Sequence, residues 1–251
     1  MAKYILMIGV LIAGSDTKLF GQDITPIQTD RPDQTETPFT VPKNHFQVEN
    51  GFSVEQTDNI TKSFTEPSTL FKYGLNDHFE VGLITEFTTI KSNLTIFGLS
   101  PVTVRFKEKI TDEKGVLPTT SFIGYLTIPH FATDNLKVTY FAPAFRFTMQ
   151  HTLSEKISIG YNLGAERDGE SAEPAFIYTL TTGYSISDKV GAYAEIYGFV
   201  PQSSKADHRF DCGLNYLLRT NILLDISGGT GLTHNAPDYY LALGFSFRLK
   251  D

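Results

Sequence analysis

Six histidines (His45, His78, His130, His151, His208, His234) and one cysteine, Cys212, are the side chains best suited to metal or nucleophilic chemistry. No two of these histidines stand four residues apart, and no HExxH occurs, so neither a helical metal pair nor a zinc-protease site is written here. A single cysteine excludes a disulfide framework and a cysteine-based metal centre. Ser203 and Ser204 precede His208 in a pattern that would suit ester hydrolysis, with the hydroxyl as nucleophile and the imidazole as base. Asp30, Asp33 and Glu36 could together approach a divalent cation, but Arg31 stands among them and Pro26, Pro32, Pro38 and Pro42 punctuate the stretch. Solvated turn carboxylates, or an inserted plug whose Arg31 meets carboxylates elsewhere, account for them better. The expectation is no metal and no cofactor.

A larger set of charges is ordered by spacing. Glu49, Glu55, Lys72, Glu80, Glu86, Arg105, Lys107, Arg146, Glu166, Glu195, Arg209, Asp211, Asp225 and Arg248 occupy the polar parity of stretches whose other parity is apolar. The final stretch is the clearest. Tyr239, Leu241, Leu243, Phe245, Phe247 and Leu249 alternate with Tyr240, Ala242, Gly244, Ser246 and Arg248. Side chains of a β-strand point alternately to opposite faces, so this is a strand with one greasy face and one polar face. Eleven such residues, tilted about 45°, cross the hydrocarbon core of a bilayer.

The same alternation recurs along the chain from His45 onward and predicts about twelve strands. They are 45–55, 69–75, 79–88, 102–107, 117–128, 138–151, 157–164, 176–186, 190–200, 209–218, 222–227 and 239–249. The register of the fifth is open, because Ile123 and Tyr125 compete with Phe122, Leu126 and Ile128 for the outer face. In the ninth, Glu195 suggests that Tyr193 and Tyr197 face inward. The connections alternate too: those containing NDH, TDEKG, LSEK, SDK and RTN are tight, and most of the others are longer. Short turns at one end and longer loops at the other are the signature of an up-and-down barrel. No charge falls on the apolar parity within the strand cores, where a midplane Arg or Lys would cost roughly 2–4 kcal/mol. A soluble sandwich would put its charges on the outer face instead.

Residues 1–22 carry a basic start and one apolar run, Tyr4–Ala13, too short to cross a bilayer as a helix. They read as a secretory signal peptide. Residues 23–44 form a Pro-rich periplasmic lead-in or plug, in which four prolines forbid a helix or central strand, and 45–251 form the barrel. The whole chain has a formal net charge of −7, and −8 once residues 1–22, which carry +1, are removed. No basic patch invites nucleic acid. Strands spaced about 4.7 Å apart give a twelve-stranded barrel a backbone diameter of roughly 23 Å, and side chains leave about 10 Å or less.

The segment Thr29–Gly51 carries a resemblance. Thr29-Asp30-Arg31-Pro32-Asp33, Thr35-Glu36, Pro38, Val41-Pro42-Lys43, Phe46-Gln47-Val48-Glu49 and Gly51 resemble the opening of the outer-membrane transporters grouped as "MetA-pathway of phenol degradation". The resemblance implies a bacterial outer-membrane location and a transport-like role, and brings no catalytic residues.

These readings converge on an all-β, transmembrane, antiparallel up-and-down barrel, monomeric, with both termini periplasmic. It would pass small solutes, hydrophobic or aromatic ones among them, by diffusion through a lumen lined by the charges named above. Asp30, Arg31, Asp33 and Glu36 belong to the candidate plug. Its partners would be outer-membrane lipid, the solute and the barrel-assembly machinery, which Phe247 and Leu249 would signal. A closed structural or surface-interaction barrel is the alternative. An outer-membrane lipid hydrolase built on His208 is the third reading.

Overall fold

The computed structural model describes residues 25–171 and 173–250; the expected signal peptide lies outside them. Thirteen strands follow the lead-in: β1 (His45–Gln56), β2 (Lys62–Asn76), β3 (Phe79–Lys91), β4 (Thr95–Leu99), β5 (Val102–Thr111), β6 (Thr119–Ile128), β7 (Ala142–Thr152), β8 (Ile157–Glu166), β9 (Ala175–Ser185), β10 (Val190–Pro201), β11 (Asp207–Arg219), β12 (Ile222–Gly231) and β13 (Tyr239–Lys250). Twelve of them close into an antiparallel ring. Each pairs with its chain neighbours, β3 pairs directly with β5, and β13 returns to β1. β4 stands outside the ring, extending β3 as a short hairpin beyond Lys91.

Closure removes every free edge from the twelve-stranded ring, which is what backbone amides in a hydrocarbon environment require. The closing seam runs the full length of both strands, from His45 opposite Lys250 to Gln56 opposite Tyr239. This register puts Phe52 beside Leu243 and Val48 beside Phe247, and carries the apolar face of β13 across the seam without a break.

Outside, the barrel wears an apolar coat. Leu83, Val104, Phe106, Leu126, Phe145, Leu163, Leu180, Ile196, Leu214, Ile226 and Leu243 are all exposed. Phe79, Phe106, Phe122 and Phe147 form a run of ring contacts at centroid separations of 5.1–5.9 Å across β3, β5, β6 and β7. Such a band is costly in water and suits lipid tails. Glu108 shares the outward parity of β5 but sits opposite Phe79, at the short-turn rim where the band ends. Cys212 is exposed on the same coat.

Several boundaries differ from the sequence reading. β2 begins at Lys62, where the sequence suggested a loop as far as Pro67. The strand passes that proline because its register slips between Thr65 and Ser68, and a bulge tolerates a missing amide donor. β7 begins at Ala142 and not Val138, since residues 134–136 make a single 3₁₀ turn in the preceding connection. β4 escaped notice because it is short. In β6, Ile123 is fully buried and Phe122 lies outside, which sets the register that the sequence left open. In β10, Tyr193, Glu195 and Tyr197 are buried inside.

Candidate functional site

Residues 25–44 have no secondary structure of their own and lie inside the barrel, entering and leaving at the short-turn end. Ile27 N–H bonds Thr220 O in the β11–β12 turn at 2.8 Å, and Thr40 Oγ1 bonds Asp77 O in the β2–β3 turn at 2.9 Å. Asn44, at φ 59°, redirects the chain into β1. Asparagine is among the few residues besides glycine that adopt this left-handed conformation at low cost.

A segment without strand partners must find other partners for its amides when buried. Here the lumen side chains supply them. Glu49 Oε2 accepts from Asp30 N–H (3.0 Å), Glu195 Oε2 from Gln34 N–H (2.7 Å), Asn162 Oδ1 from Glu36 N–H (2.8 Å), and Glu80 Oε2 from Val41 N–H (2.7 Å). In the other direction, Gln47 donates to Gln28 O, Asn162 to Glu36 O, Lys107 to Thr37 O, and Ser121 to Pro38 O. Arg146 donates to Gln34 O and Arg248 to Thr25 O. The barrel wall thus stands in for a neighbouring strand.

Charge then fixes the plug's position. Asp30 receives Lys72 Nζ at 2.9 Å, Arg105 Nη2 at 3.0 Å and Lys107 Nζ at 2.6 Å, and Lys72 also reaches Glu49 at 2.5 Å. Arg105 further holds Glu80 at 2.9 Å and the plug's Glu36 at 3.1 Å. All of these groups except Glu36 are almost wholly enclosed. Buried charges persist only when paired and hydrogen-bonded, and here Lys72, Arg105 and Lys107 are each matched by wall or plug carboxylates. Tyr125 donates to Glu36, and Arg146 bridges Glu36 and Glu166 at 3.9 and 3.3 Å.

The next residue after Asp30 is held by other strands. Arg31 reaches Asp225 on β12 at 3.1 Å and the Leu243 carbonyl on β13 at 3.4 Å. Its guanidinium lies over Gly51 of β1, where any Cβ would fall 2.0 Å from Nη1. Asp30 and Arg31 therefore brace the plug against adjoining sectors of the wall, β1–β5 for Asp30 and β12, β13 and β1 for Arg31.

The sequence-derived charges fall into separate groups. Glu49, Lys72, Glu80, Arg105 and Lys107 surround Asp30; Arg146 and Glu166 meet at Glu36; Asp225 holds Arg31. Glu195 and Asp211 face each other across β10 and β11, and Thr35 bonds both Glu195 and Thr179. Nearer the loop end, Arg209 pairs Asp207 at 2.5 Å and Glu55 at 3.1 Å, while Glu86 accepts from Thr88. Gln47, Ser121, Tyr125, Asn162 and Thr179 also hold the plug. They carry no charge to mark them, but all occupy inward parities.

The wall is two-sided. Along β8, β9 and β10 near the short-turn end, the inward positions are Ser158, Gly160, Thr181, Gly183, Ser185 and Gly191, small and uncharged. A cavity of about 450 Å³ separates them from the plug, whose Gln28, Asp33 and Thr35 line its other side.

The arrangement does not bring a serine to His208. His208 Nδ1 bonds Tyr178 Oη at 2.8 Å on the outer surface, across Gly198, where a Cβ would lie 2.6 Å from the imidazole. Ser203 donates to Glu173.

Solved structures similar to this one are outer-membrane barrels. An outer-membrane channel from Pseudomonas putida F1 aligns with a TM-score of 0.67 at 13% identity, covering 87% of this chain and 99% of that one. The KdgM porin, solved with disordered oligogalacturonate, aligns at 0.58 and 7% identity over 80% of this chain and 98% of its own. The NanC porin aligns at 0.56 and 12% identity over 81% and 100%. At these identities the likeness is one of fold. No curated protein matches the sequence. The family model described as "Putative MetA-pathway of phenol degradation" matches residues 29–249, which takes in both plug and barrel, and the chain belongs to that family.

Proposed function

We propose that the protein is a channel of the bacterial outer membrane that passes small molecules by passive diffusion, with the short-turn end and both termini in the periplasm. One observation carries this reading: near the short-turn end a cavity separates the plug from β8, β9 and β10, while β1, β2, β3 and β5 hold the plug by charge. β1, β2, β3 and β5 spend their inward side chains on the plug, whereas β8–β10 present glycine, serine and threonine to a cavity of about 450 Å³. Pockets for small organic molecules span roughly 300–1,000 Å³, so the space suits a single small solute. The family description points to aromatic molecules, and the cavity's apolar edge, Met149, Tyr193 and Leu223, is compatible with them. Shape and the neutral wall would select the solute, while the ion pairs hold the plug.

The dense bonding of the plug favours one alternative, a barrel closed permanently and serving a structural role. Neither reading uses hydrolysis, since Ser203 and His208 are each bonded elsewhere. Conductance of the purified protein in planar bilayers, with flux of small solutes into liposomes, separates the two. The channel reading expects reproducible conductance that falls when Ser158 and Ser185 are both replaced by Phe. Electrical silence from folded, heat-modifiable protein would leave the closed barrel.

A further inference from the structure

At the loop end of β13, β1, β2, β3 and β4, the register sorts the outward side chains into two rungs. Leu241, Val54, Phe64, Thr89 and Phe97 stand in line across these five strands. One rung further from the short turns come Tyr239, Gln56, Lys62, Lys91 and Thr95. The first rung belongs to the apolar coat, which the stacked rings of Phe87 and Phe97 continue at a centroid separation of 6.3 Å. The second has no aliphatic or phenyl member, so on this side of the barrel it stands where hydrocarbon gives way to headgroups.

Lys62 and Lys91 are direct register partners on that second rung. Like charges directly opposite on one face of a sheet are destabilising, and no carboxylate of the wall relieves these two. Among the described residues neither lysine enters an ion pair. The acidic side chains of the same segment are engaged elsewhere. Glu66 accepts from the Thr89 hydroxyl at 3.2 Å, and Asp58 accepts from the Ile60 and Thr61 amides at 2.7 Å. Lys91 Nζ lies 4.7 Å from the centre of the Phe64 ring, which holds its stem against the apolar rung. An ammonium has three donors, and the ring face leaves most of them for another acceptor.

A group with several anionic oxygens would neutralise both lysines at once. A second copy of the chain laid on the same face would instead bring four lysines together. Because the adjoining rung meets lipid tails, the fitting anion is one that carries hydrocarbon of its own. We infer that Lys62 and Lys91, above Phe64 and Phe97, form a docking site for the phosphate of an outer-leaflet lipid whose acyl chains lie along the coat of β1–β4. The leaflet rests on the orientation proposed above, with the short turns in the periplasm; the docking itself requires neither conductance nor an open lumen. In an outer membrane that leaflet carries lipopolysaccharide, whose lipid anchor is phosphorylated.

The test is the midpoint temperature at which the purified full chain, in a neutral detergent, loses its heat-modifiable band as lipopolysaccharide is added. Wild-type protein is expected to gain several degrees, and Lys62→Gln/Lys91→Gln to gain less than half as much. Without lipid the double variant should be no less stable than wild type, since its facing charges are gone. Lys91→Gln alone is expected to lose at least half of the gain and serves should the double variant fail to fold. No gain in wild type, a full gain in the variants, or an equal gain from dephosphorylated lipopolysaccharide overturns the inference. An equal gain from inorganic phosphate overturns the lipid as its source, and a gain that appears only with dimerisation of the protein assigns the face to a second copy. A silent barrel that shows the gain keeps the inference; a conducting one that lacks it does not. Orientation is read separately by labelling Lys91→Cys, in a Cys212→Ser background, on intact cells with a membrane-impermeant maleimide: labelling is expected, and protection would overturn the outer leaflet.

Discussion

Asp30 concentrates the energetics of the plug in one side chain. Its carboxylate is shared by Lys72, Arg105 and Lys107, and it also accepts from the backbone and hydroxyl of Thr37. Removing one member of a buried ion cluster costs about 3–5 kcal/mol, because the remaining charges stay buried and uncompensated. Asp30→Asn is therefore expected to loosen the plug far more than it loosens the barrel. Hydrogen exchange of the Asp30 and Val41 amides, bonded to Glu49 and Glu80, should accelerate at least a hundredfold while the β-strand amides stay protected. Equal acceleration in plug and strands would show that the two unfold as one unit. At this scale the sequence was informative about charge and silent about its partners. Alternation placed Lys72 and Arg105 on the inner face, but pairing depends on which strands curve past which plug residue, and no local pattern encodes that. Gln47, Asn162 and Thr179 were missed for a related reason, since a neutral polar side chain on an inward parity looks like filler until a buried amide stands opposite it.

Among the elements, β13 was the most legible, because its apolar face is uninterrupted and its polar face is small. β2 was read short because proline ordinarily ends a central strand, and the bulge that accommodates Pro67 leaves no mark in the alternation. Leu243 lies near the middle of β13 and is 57% exposed on the outer coat. Leu243→Arg would place a cation at mid-band, at a cost of roughly 2–4 kcal/mol. The folded, heat-modifiable fraction in membranes should drop accordingly, and a yield equal to that of wild type would contradict the outward parity of the strand. Phe247 lies opposite Val48 on one side and Ile222 on the other, with its ring 5.7 Å from Phe245. Phe247→Ser is expected to lower membrane yield by thinning this cluster. On β10, Gly198→Val should separate Tyr178 from His208, which would appear as a changed imidazole resonance with folding intact.

For the whole molecule, plug and barrel play separable parts: the strand ladder closes the wall, and side chains alone hold the plug to it. Deleting residues 25–41 should leave a heat-modifiable barrel whose conductance exceeds that of the full chain several-fold, because water can hydrate the lumen charges that the plug had neutralised. Loss of the folded band on deletion would instead make the plug a core of the fold. Arg31 adds an ordering in time. It bonds the Leu243 carbonyl on β13 and Asp225 on β12 while lying over Gly51 on β1, so its binding place exists only after the last strand has met the first. During biogenesis an unfinished sheet can receive Asp30 on β2 and β5, but it cannot yet receive Arg31. The lead-in precedes every strand in the chain yet is the last segment to be fully docked, and its docking marks a completed barrel.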